Sequence, residues 1–235
     1  MKKITMAAGA AVAVSVALAG CTPTTEKAYT GTGQSTPTIW TGSPAPKHSN
    51  AGGEHGEGRA EAAGLNAYIT ANKIAEVPFK KDEPGTPTIE FPFPPDWSSA
   101  GDRTPDWAYG AIVYDKAPDP ENPPFMYAIA SKLTGNVDPA KILELAPTQL
   151  NELPGFSPLE APHSDKVGGF EAIDYVGTYM WEGQKRAVGQ QTIVIPGKDA
   201  VFVMQLNAES PQGQEQPVVD AIKLIREQTK ITLPS

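Results

Sequence analysis

This sequence is almost without cysteine, since Cys21 is the single cysteine in 235 residues. One thiol cannot form an intrachain disulfide, so the stability of any folded domain has to come from a packed core. The signatures of several enzyme classes are missing as well: Gly-x-Ser-x-Gly, His-Glu-x-x-His, the Gly-x-x-x-x-Gly-Lys-[Ser/Thr] phosphate loop and Gly-x-Gly-x-x-Gly. We therefore expect neither a cofactor nor one of these catalytic chemistries.

Positive charge is also in short supply. The formal net charge is −8, and loss of Lys2 and Lys3 with the first twenty residues would take it to −10. Such a surface repels phosphate backbones and anionic headgroups. The charge argues against nucleic acid as a partner and against binding to a membrane by electrostatics.

Residues 1–20 have the organisation of an export signal peptide, with two lysines, an apolar run and small residues before Cys21. The apolar run is short for a membrane span, which takes about 20 residues. A plain secretory signal followed by an incidental cysteine is the alternative. However, Leu18-Ala19-Gly20-Cys21 resembles the lipobox of bacterial lipoproteins, whose cysteine receives a diacylglyceryl group before cleavage. The resemblance implies that Cys21 is lipidated and that it becomes the N-terminal residue after the signal peptide is cleaved.

Residues 21–64 follow as a stretch rich in Thr, Ser, Pro and Gly. Few large apolar residues are available to offset the entropy of ordering, so we predict a disordered tether. A flexible chain of this length spans roughly 35–40 Å. His48 and His55 lie in it, but a glycine-rich tether gives them no rigid frame, and we predict no metal site.

Residues 65–235 have the hydrophobic patterning of one folded domain. Apolar residues at i, i+3 and i+4 from Leu65 predict a short amphipathic helix. The segment 77–95 contains six prolines, which exclude a helix and a central strand. Within this segment, only Thr88–Phe91 is predicted to form a strand, at the edge of a sheet.

A loop holding Trp97 and Trp107 is expected next, followed by strands. Two strands form a hairpin with a long proline-rich loop, and three later strands have compact links that contain glycine. The predicted strands are Ala108–Tyr114, Phe125–Leu133, Phe170–Tyr179, Lys185–Ile195 and Ala200–Ala208.

Two further helical regions carry local start or stop signals. Asp138-Pro139 is a helix start, because Asp caps first-turn amides and Pro tolerates the first helical position. Pro147 should divide this region into two short helices or kink it. A helix over Glu215–Gln228 closes the chain, with apolar residues at i, i+4 and i+7 on one face.

Two of the predicted strand segments are apolar on both faces. Ala111–Tyr114 and Val201–Met204 do not alternate between apolar and polar residues, which means that both faces are covered. We predict an α+β fold, an αβα sandwich with a central antiparallel sheet and helices on both faces.

Two sets of side chains invite a chemical interpretation. His163 is the one histidine of residues 65–235 and precedes Ser164-Asp165, but a catalytic triad needs partners from elsewhere, and the local sequence is typical of an exposed turn. Asp115, Asp119 and Glu121 could bind calcium, but the surrounding prolines and irregular spacing favour ordinary turn chemistry.

Aromatic residues are the remaining candidates for a binding site. An aromatic cluster on an acidic protein suits sugar rings or acyl chains better than anions. The alternative is that these residues fill the ends of the sheet. The candidate ligand-binding residues are Trp97, Trp107, Tyr109, Tyr179 and Trp181.

An ordered set of motifs accompanies the lipobox and the Thr/Pro tether. The set resembles the LpqN/LpqT lipoproteins of mycobacteria over essentially all of residues 65–233. The motifs are Pro84-Gly85-Thr86-Pro87-Thr88-Ile89, Pro94-Pro95-Asp96-Trp97, Tyr109-Gly110-Ala111-Ile112-Val113-Tyr114, Ser131-Lys132-Leu133-Thr134-Gly135, Asp138-Pro139-Ala140-Lys141, Leu153-Pro154-Gly155-Phe156 and Val201-Phe202-Val203-Met204-Gln205-Leu206-Asn207-Ala208.

The resemblance implies a fold like Mog1 and PsbP and a non-enzymatic lipoprotein of the cell envelope. It also implies an association with mycolate-type glycolipids and with the lipid exporters of the inner membrane. We expect a monomer held on the extracytoplasmic side by the lipid on Cys21, binding a lipid, a glycolipid or an export protein. The alternatives are a protein scaffold that binds no lipid and a hydrolase of envelope esters.

Overall fold

The computed structural model describes residues 64–234. The predicted signal peptide, Cys21, His48, His55 and all of the predicted tether except Gly64 lie outside the described residues, so the predictions made for them stay predictions. Within residues 64–234, no helix is both long enough and apolar enough to cross a membrane.

Within residues 64–234 the chain forms three α-helices and two 3₁₀ segments, most of them where local signals predict a helix. The carboxylate of Asp138 accepts a hydrogen bond from the Ala140 amide (2.9 Å) at the start of the second helix. At Pro147 the chain has changed to a 3₁₀ helix, as the predicted break requires. The helices are α1 Leu65–Ala71, α2 Pro139–Leu145 and α3 Glu215–Gln228, and the 3₁₀ segments are Gly101–Arg103 and Ala146–Glu152.

Eleven strands, all paired antiparallel, are described. Nine form one sheet, and the other two pair with each other. The strands are β1 Ala75–Pro78, β2 Thr88–Glu90, β3 Trp97–Ser99, β4 Gly110–Tyr114, β5 Phe125–Thr134, β6 Ser157–Pro158, β7 His163–Val167, β8 Phe170–Trp181, β9 Gln184–Pro196, β10 Val201–Pro211 and β11 Lys230–Thr232.

The main sheet has the order β3-β4-β5-β10-β9-β8-β6, with β1 also paired to β5 and β7 also paired to β8. The long strands β8, β9 and β10 are consecutive neighbours, and β10 lies between β9 and β5. Val203 of β10 stands opposite Val194 of β9 and Ser131 of β5. The smaller sheet pairs β2 with β11.

Alternate residues of β10 pack against helices on opposite faces of the sheet. Phe202 and Met204 belong to the core cluster that includes Ile225 of α3, on what we call the α3 face. Val203 belongs to a second cluster with Ile142 of α2 and residues of α1, on what we call the α2 face. The predicted α+β sandwich with helices on both faces of an antiparallel sheet is therefore confirmed.

Polar residues are also buried beneath the 3₁₀ helix Ala146–Glu152 on the α2 face. The side-chain amide of Gln205 donates to Gln149 Oε1 (2.7 Å) and lies 3.3 Å from Thr192 Oγ1. A buried amide needs such partners because desolvation without a hydrogen bond is costly. This network fixes the 3₁₀ helix on the sheet.

The structure corrects three of the strand predictions. β1 extends into the proline-rich segment, because Pro78 is the last residue of the strand, where a missing amide is tolerated. Trp97 is in β3 and not in a loop, although Trp107 does lie in one. The predicted turn around His163 is strand β7, paired with β8 through the two-glycine turn Gly168-Gly169.

Candidate functional site

A cavity of about 450 Å³ lies on the α3 face, beneath the segment that follows β2. Its floor consists of buried side chains of the sheet, Met126 and Ala128 of β5 and Leu206 of β10. Ile225, near the end of α3, and Ile89 of β2 form part of its wall. The site is therefore an apolar hollow between the sheet and the elements that cover it.

Two small residues keep this hollow open. Gly110 of β4 stands directly opposite Ala128 of β5, and both line the cavity. A Cβ atom added at Gly110 would meet no heavy atom within 4 Å. The space above this pair is thus unfilled by protein, and larger side chains here would occupy it.

The rim of the cavity combines one exposed aromatic ring with polar groups. Phe93 is 65% exposed, and Lys81, Glu90 and Ser99 are exposed residues that also line the opening. An apolar interior with a polar rim suits an amphipathic ligand, whose chain is buried while its headgroup stays in water.

Tyr109 contributes the phenol group in the wall of the cavity. Its amide donates to the carbonyl oxygen of Ala128 (2.7 Å), and its ring makes edge contacts with Phe79 (6.0 Å between centroids) and Phe91 (6.5 Å). The hydroxyl oxygen is shielded from solvent and makes no hydrogen bond of normal geometry among residues 64–234, although the main chain of Ile89 is close enough to act on it as a weak hydrogen-bond donor.

Burial raises the pKa of Tyr109, and the negative charge of Asp82 raises it further, whereas the main chain of Ile89 has the opposite effect. The phenol therefore stays protonated at neutral pH.

The other four predicted aromatic residues do not line the cavity. Trp97 is buried against Tyr114, with 5.6 Å between ring centroids, and Trp107 is 40% exposed and contacts the edge of another ring. Tyr179 is buried, and its hydroxyl donates to Glu209 (2.5 Å). Trp181 packs against a cluster of buried residues that contains Tyr179, Leu150 and Leu153. Of the five candidates, the structure brings only Tyr109 to the cavity.

Most of the residues that form this site were not predicted from the sequence. One signal was present: Ile89, Phe91 and Phe93 alternate with polar or proline residues over 89–93, the period expected for a strand with one apolar face. All three line the cavity. The contributions of β5, β10 and α3 had no comparable local signal.

His163 lies on the exposed strand β7, opposite Asp174 of β8. The carboxylate of Asp174 accepts from Gln191 Nε2 (2.8 Å) and lies 3.4 Å from Arg226 Nη1. Burial raises the pKa of this carboxyl group, and the hydrogen bond from Gln191 opposes the rise. Over residues 64–234, no hydrogen bond joins the imidazole to a serine, so the described residues lack the triad geometry that the hydrolase alternative requires.

The acidic loop before β5 has ordinary turn chemistry. Asp119 Oδ1 accepts from the Glu121 amide (3.0 Å), and Asp115 accepts from Ser98 Oγ (2.6 Å). The described part of the chain contains no group of three or more His, Cys, Asp or Glu side chains arranged to hold a metal ion. Asp119 therefore hydrogen-bonds within its own turn, and Asp115 bonds a residue of the neighbouring strand β3.

Comparison with known proteins identifies close relatives. A family model described as probable lipoprotein LpqN matches residues 61–232. Lipoprotein LpqN of Mycobacterium tuberculosis (strain ATCC 25618 / H37Rv) is 44% identical over 178 residues, which cover 73% of this chain and 77% of that protein.

The same relative is similar in three dimensions. The crystal structure of LpqN, which is involved in cell envelope biogenesis of Mycobacterium tuberculosis, aligns with a TM-score of 0.68 at 44% identity, covering 72% of this chain and 97% of that chain. The Ran-binding protein Mog1p of Saccharomyces cerevisiae gives a TM-score of 0.41 at 15% identity over 66% of this chain and 94% of its own.

Proposed function

This chain belongs to the LpqN lipoprotein family, and on that premise we propose that it is a lipid-anchored protein that binds an envelope lipid or glycolipid in the cavity on the α3 face. The relative from Mycobacterium tuberculosis is involved in cell envelope biogenesis, and we extend that role to this chain. The family membership and the described site indicate no catalytic role, so the proposal is one of binding.

The cavity is the observation that carries the proposal. Its volume of about 450 Å³ lies within the range of roughly 300–1,000 Å³ typical of small-ligand sites. Its floor is made of side chains that are almost fully buried, such as Met126 and Leu206, so a ligand chain placed there would exchange water for apolar contacts. An acyl chain has the chemistry that matches such a floor.

The proposed anchor on Cys21 would hold this cavity at the membrane that supplies the ligand. Two or three acyl chains on one residue anchor a protein stably, because each buried methylene contributes about 0.8 kcal/mol. The acidic chain, with a net charge of −8, would not be held by anionic headgroups. Attachment and ligand binding are thus separate functions of separate parts of the chain.

Replacing Gly110 by Ala, Val and Leu in turn should reduce lipid binding progressively. Each larger side chain fills more of the hollow, since nothing lies within 4 Å of the added Cβ. Overpacking costs about 1–3 kcal/mol, so Gly110→Leu should weaken binding about 5- to 150-fold. Native mass spectrometry after incubation with an envelope lipid extract measures the retained lipid, with thermal unfolding as the check on folding.

Ala71→Leu is a suitable control, because it adds a leucine at an exposed position of α1, on the α2 face. It should leave both lipid retention and stability close to the wild type. If the wild type retains no lipid, lipid binding is excluded and the protein scaffold becomes the better interpretation. If Gly110→Leu retains as much lipid as the wild type, the ligand binds elsewhere.

A further inference from the structure

We propose that the α2 face of the sheet carries a second binding site, which takes a neutral polysaccharide chain. It consists of three neighbouring aromatic rings, from Trp107, Phe125 and Tyr127, beside the ion pair of Arg186 with Glu209. We call these five residues the aromatic ledge. Binding at the ledge is independent of the lipid-binding function proposed above.

The three rings of the aromatic ledge contact one another. The ring centroids of Trp107 and Tyr127 are 5.4 Å apart with the ring planes nearly perpendicular, and those of Phe125 and Tyr127 are 6.2 Å apart. The two β5 residues share the α2 face with Leu133, because alternate residues of a strand point the same way. Trp107 is 40% exposed, and the other two rings are half-buried. Single exposed apolar side chains are common, whereas a contiguous group at the surface is typical of a binding site.

Polar groups continue the ledge beside the rings. Glu209 of β10 stands opposite Phe125 of β5. Its carboxylate accepts a hydrogen bond from the Tyr179 hydroxyl (2.5 Å) and lies 3.6 Å from Arg186 Nε. The guanidinium also donates to Asn122 Oδ1 (2.5 Å). The Glu209 side chain is 25% exposed, and a carboxylate accepts several hydrogen bonds, so it is available to a ligand hydroxyl.

The charges of the ledge favour a ligand without net charge. The carboxylate of Glu209 and the guanidinium of Arg186 offset each other, so neither an anion nor a cation gains a net attraction there. Sugar hydroxyls donate and accept hydrogen bonds without carrying charge. The C–H side of a sugar ring is apolar and packs on an aromatic ring, where burial of apolar area stabilises the contact. A neutral sugar therefore matches both halves of the ledge.

The shape of the ledge suits the side of a chain and not an enclosed molecule. The hollow bordered by Tyr127, Tyr179 and Glu209 has a volume of only about 20 Å³, which is room for a single water molecule. Strands β5, β10, β9 and β8 lie side by side here and together span about 14 Å. A ligand therefore lies along the surface, and several consecutive sugar rings are needed to cover it.

The sheet separates the ledge from the cavity on the α3 face. The side chains of Tyr127 and Glu209 point to one side of the sheet, and those of Ala128 and Leu206 point to the other, because successive residues alternate. A glycolipid with its acyl chain in the cavity would have to cross the sheet to place its sugar on the ledge. The ligand of the ledge is therefore a separate polysaccharide chain and not the headgroup of the cavity ligand.

Electrophoresis in native gels that contain increasing amounts of polysaccharide tests this site. The probe is the neutral, delipidated and soluble polysaccharide fraction of a mycobacterial cell wall. The chain from residue 21 onward, carrying Cys21→Ser so that it has no acyl group, should be retarded. Trp107→Leu should weaken binding about fivefold or more, as removal of an aromatic anchor does at other interfaces, whereas Trp107→Tyr keeps a ring and should bind within about threefold of the parent.

Phe93→Leu is the matched control, because it replaces a 65% exposed ring at the rim of the cavity on the α3 face. It should be retarded as strongly as the parent. The melting temperature of Trp107→Leu should stay within about 2 °C of the parent, since the side chain lies in a loop and is 40% exposed. Its retention of envelope lipid should equal that of the parent, because Trp107 does not line the cavity.

Three outcomes would overturn the polysaccharide site. They are no retardation of the parent, equal retardation of the parent and Trp107→Leu, and equal loss in Trp107→Leu and Phe93→Leu. Each leaves the lipid-binding function standing if lipid is still retained. Disaccharides released from the same polysaccharide should compete about tenfold more weakly than longer fragments. Equal competition would mean that the ledge binds one headgroup-sized sugar, which would overturn the assignment to a chain.

Discussion

Cys21→Ala should move this protein almost completely from the membrane fraction to the soluble or secreted fraction. Cys21 is the only cysteine of the chain, so no other thiol can take over the lipid. A single myristoyl chain gives only marginal membrane binding, whereas two or three chains at about 0.8 kcal/mol per buried methylene hold a protein firmly. With no anchor and a net charge of −8, the variant has no electrostatic attraction to replace the lost chains.

Fractionation of cells followed by a high-salt wash of the membranes measures this effect. Gly20→Ala is the matched control, because it keeps a small residue before the cysteine and should leave the protein anchored. Position 21 lies outside residues 64–234, so the thermal unfolding of the domain should be the same in both variants. Tight membrane association of Cys21→Ala after the wash would contradict lipidation at this residue.

Gly177→Ala should destabilise the domain by about 2–3 kcal/mol, a typical cost of overpacking. A Cβ atom at this position of β8 would lie 2.6 Å from Phe156 Cζ and 2.7 Å from the carbonyl oxygen of Ser157. The second of these atoms belongs to the main chain of β6, which pairs with β8, so no side-chain rotation relieves the clash. For a domain of this size the melting temperature should fall by roughly 4–12 °C.

Gly189→Ala on the neighbouring strand β9 is the matched control. The nearest atom to its added Cβ is Val176 Cγ1 at 3.4 Å, an ordinary contact with a side chain. This variant should melt within about 2 °C of the wild type. Equal melting temperatures for the two alanine variants would mean that β6 moves freely away from β8 and that its packing adds little stability.

The elements that the sequence predicted correctly are those with local signals. The i, i+4 and i+7 spacing of Val218, Ile222 and Ile225 predicts α3, and the structure has the helix over Glu215–Gln228. Asp138 caps α2 as predicted. In both cases the deciding interactions join residues a few positions apart, so they can be read from a short stretch of sequence.

Strands β1 and β7 were not predicted, for different reasons. Strand β1 depends on a partner that is distant in sequence, whereas a turn signal lies beside β7. β1 is specified by its pairing with β5, more than fifty residues later, and its own four residues carry no strand pattern. β7 had a usable signal, since the two glycines at 168 and 169 adopt positive φ angles of 57° and 88°. Such a pair is typical of a tight hairpin turn, and it joins β7 to β8.

The residues of the candidate site were harder to predict from the sequence than the helices and strands were. Five aromatic residues were proposed from their positions near predicted loops, and the fold places only Tyr109 in the cavity lining. The floor combines residues of β5 with Leu206 of β10, about eighty positions further along the chain. Which side chains face one another there follows from strand register, which a single sequence does not specify.

The sequence by itself determined the family, the alternation of helices and long strands, and the prediction that Cys21 carries the anchor. These conclusions depend on residue types and on short spacings. Such features act through the conformational preferences of nearby residues, or through a short motif that processing enzymes recognise. Only the tertiary structure decided that Gly110 and Ala128 face each other and leave a hollow, and that Tyr109 forms part of its wall. A cavity is volume left unfilled when distant segments pack, and that volume exists only once every segment is in place.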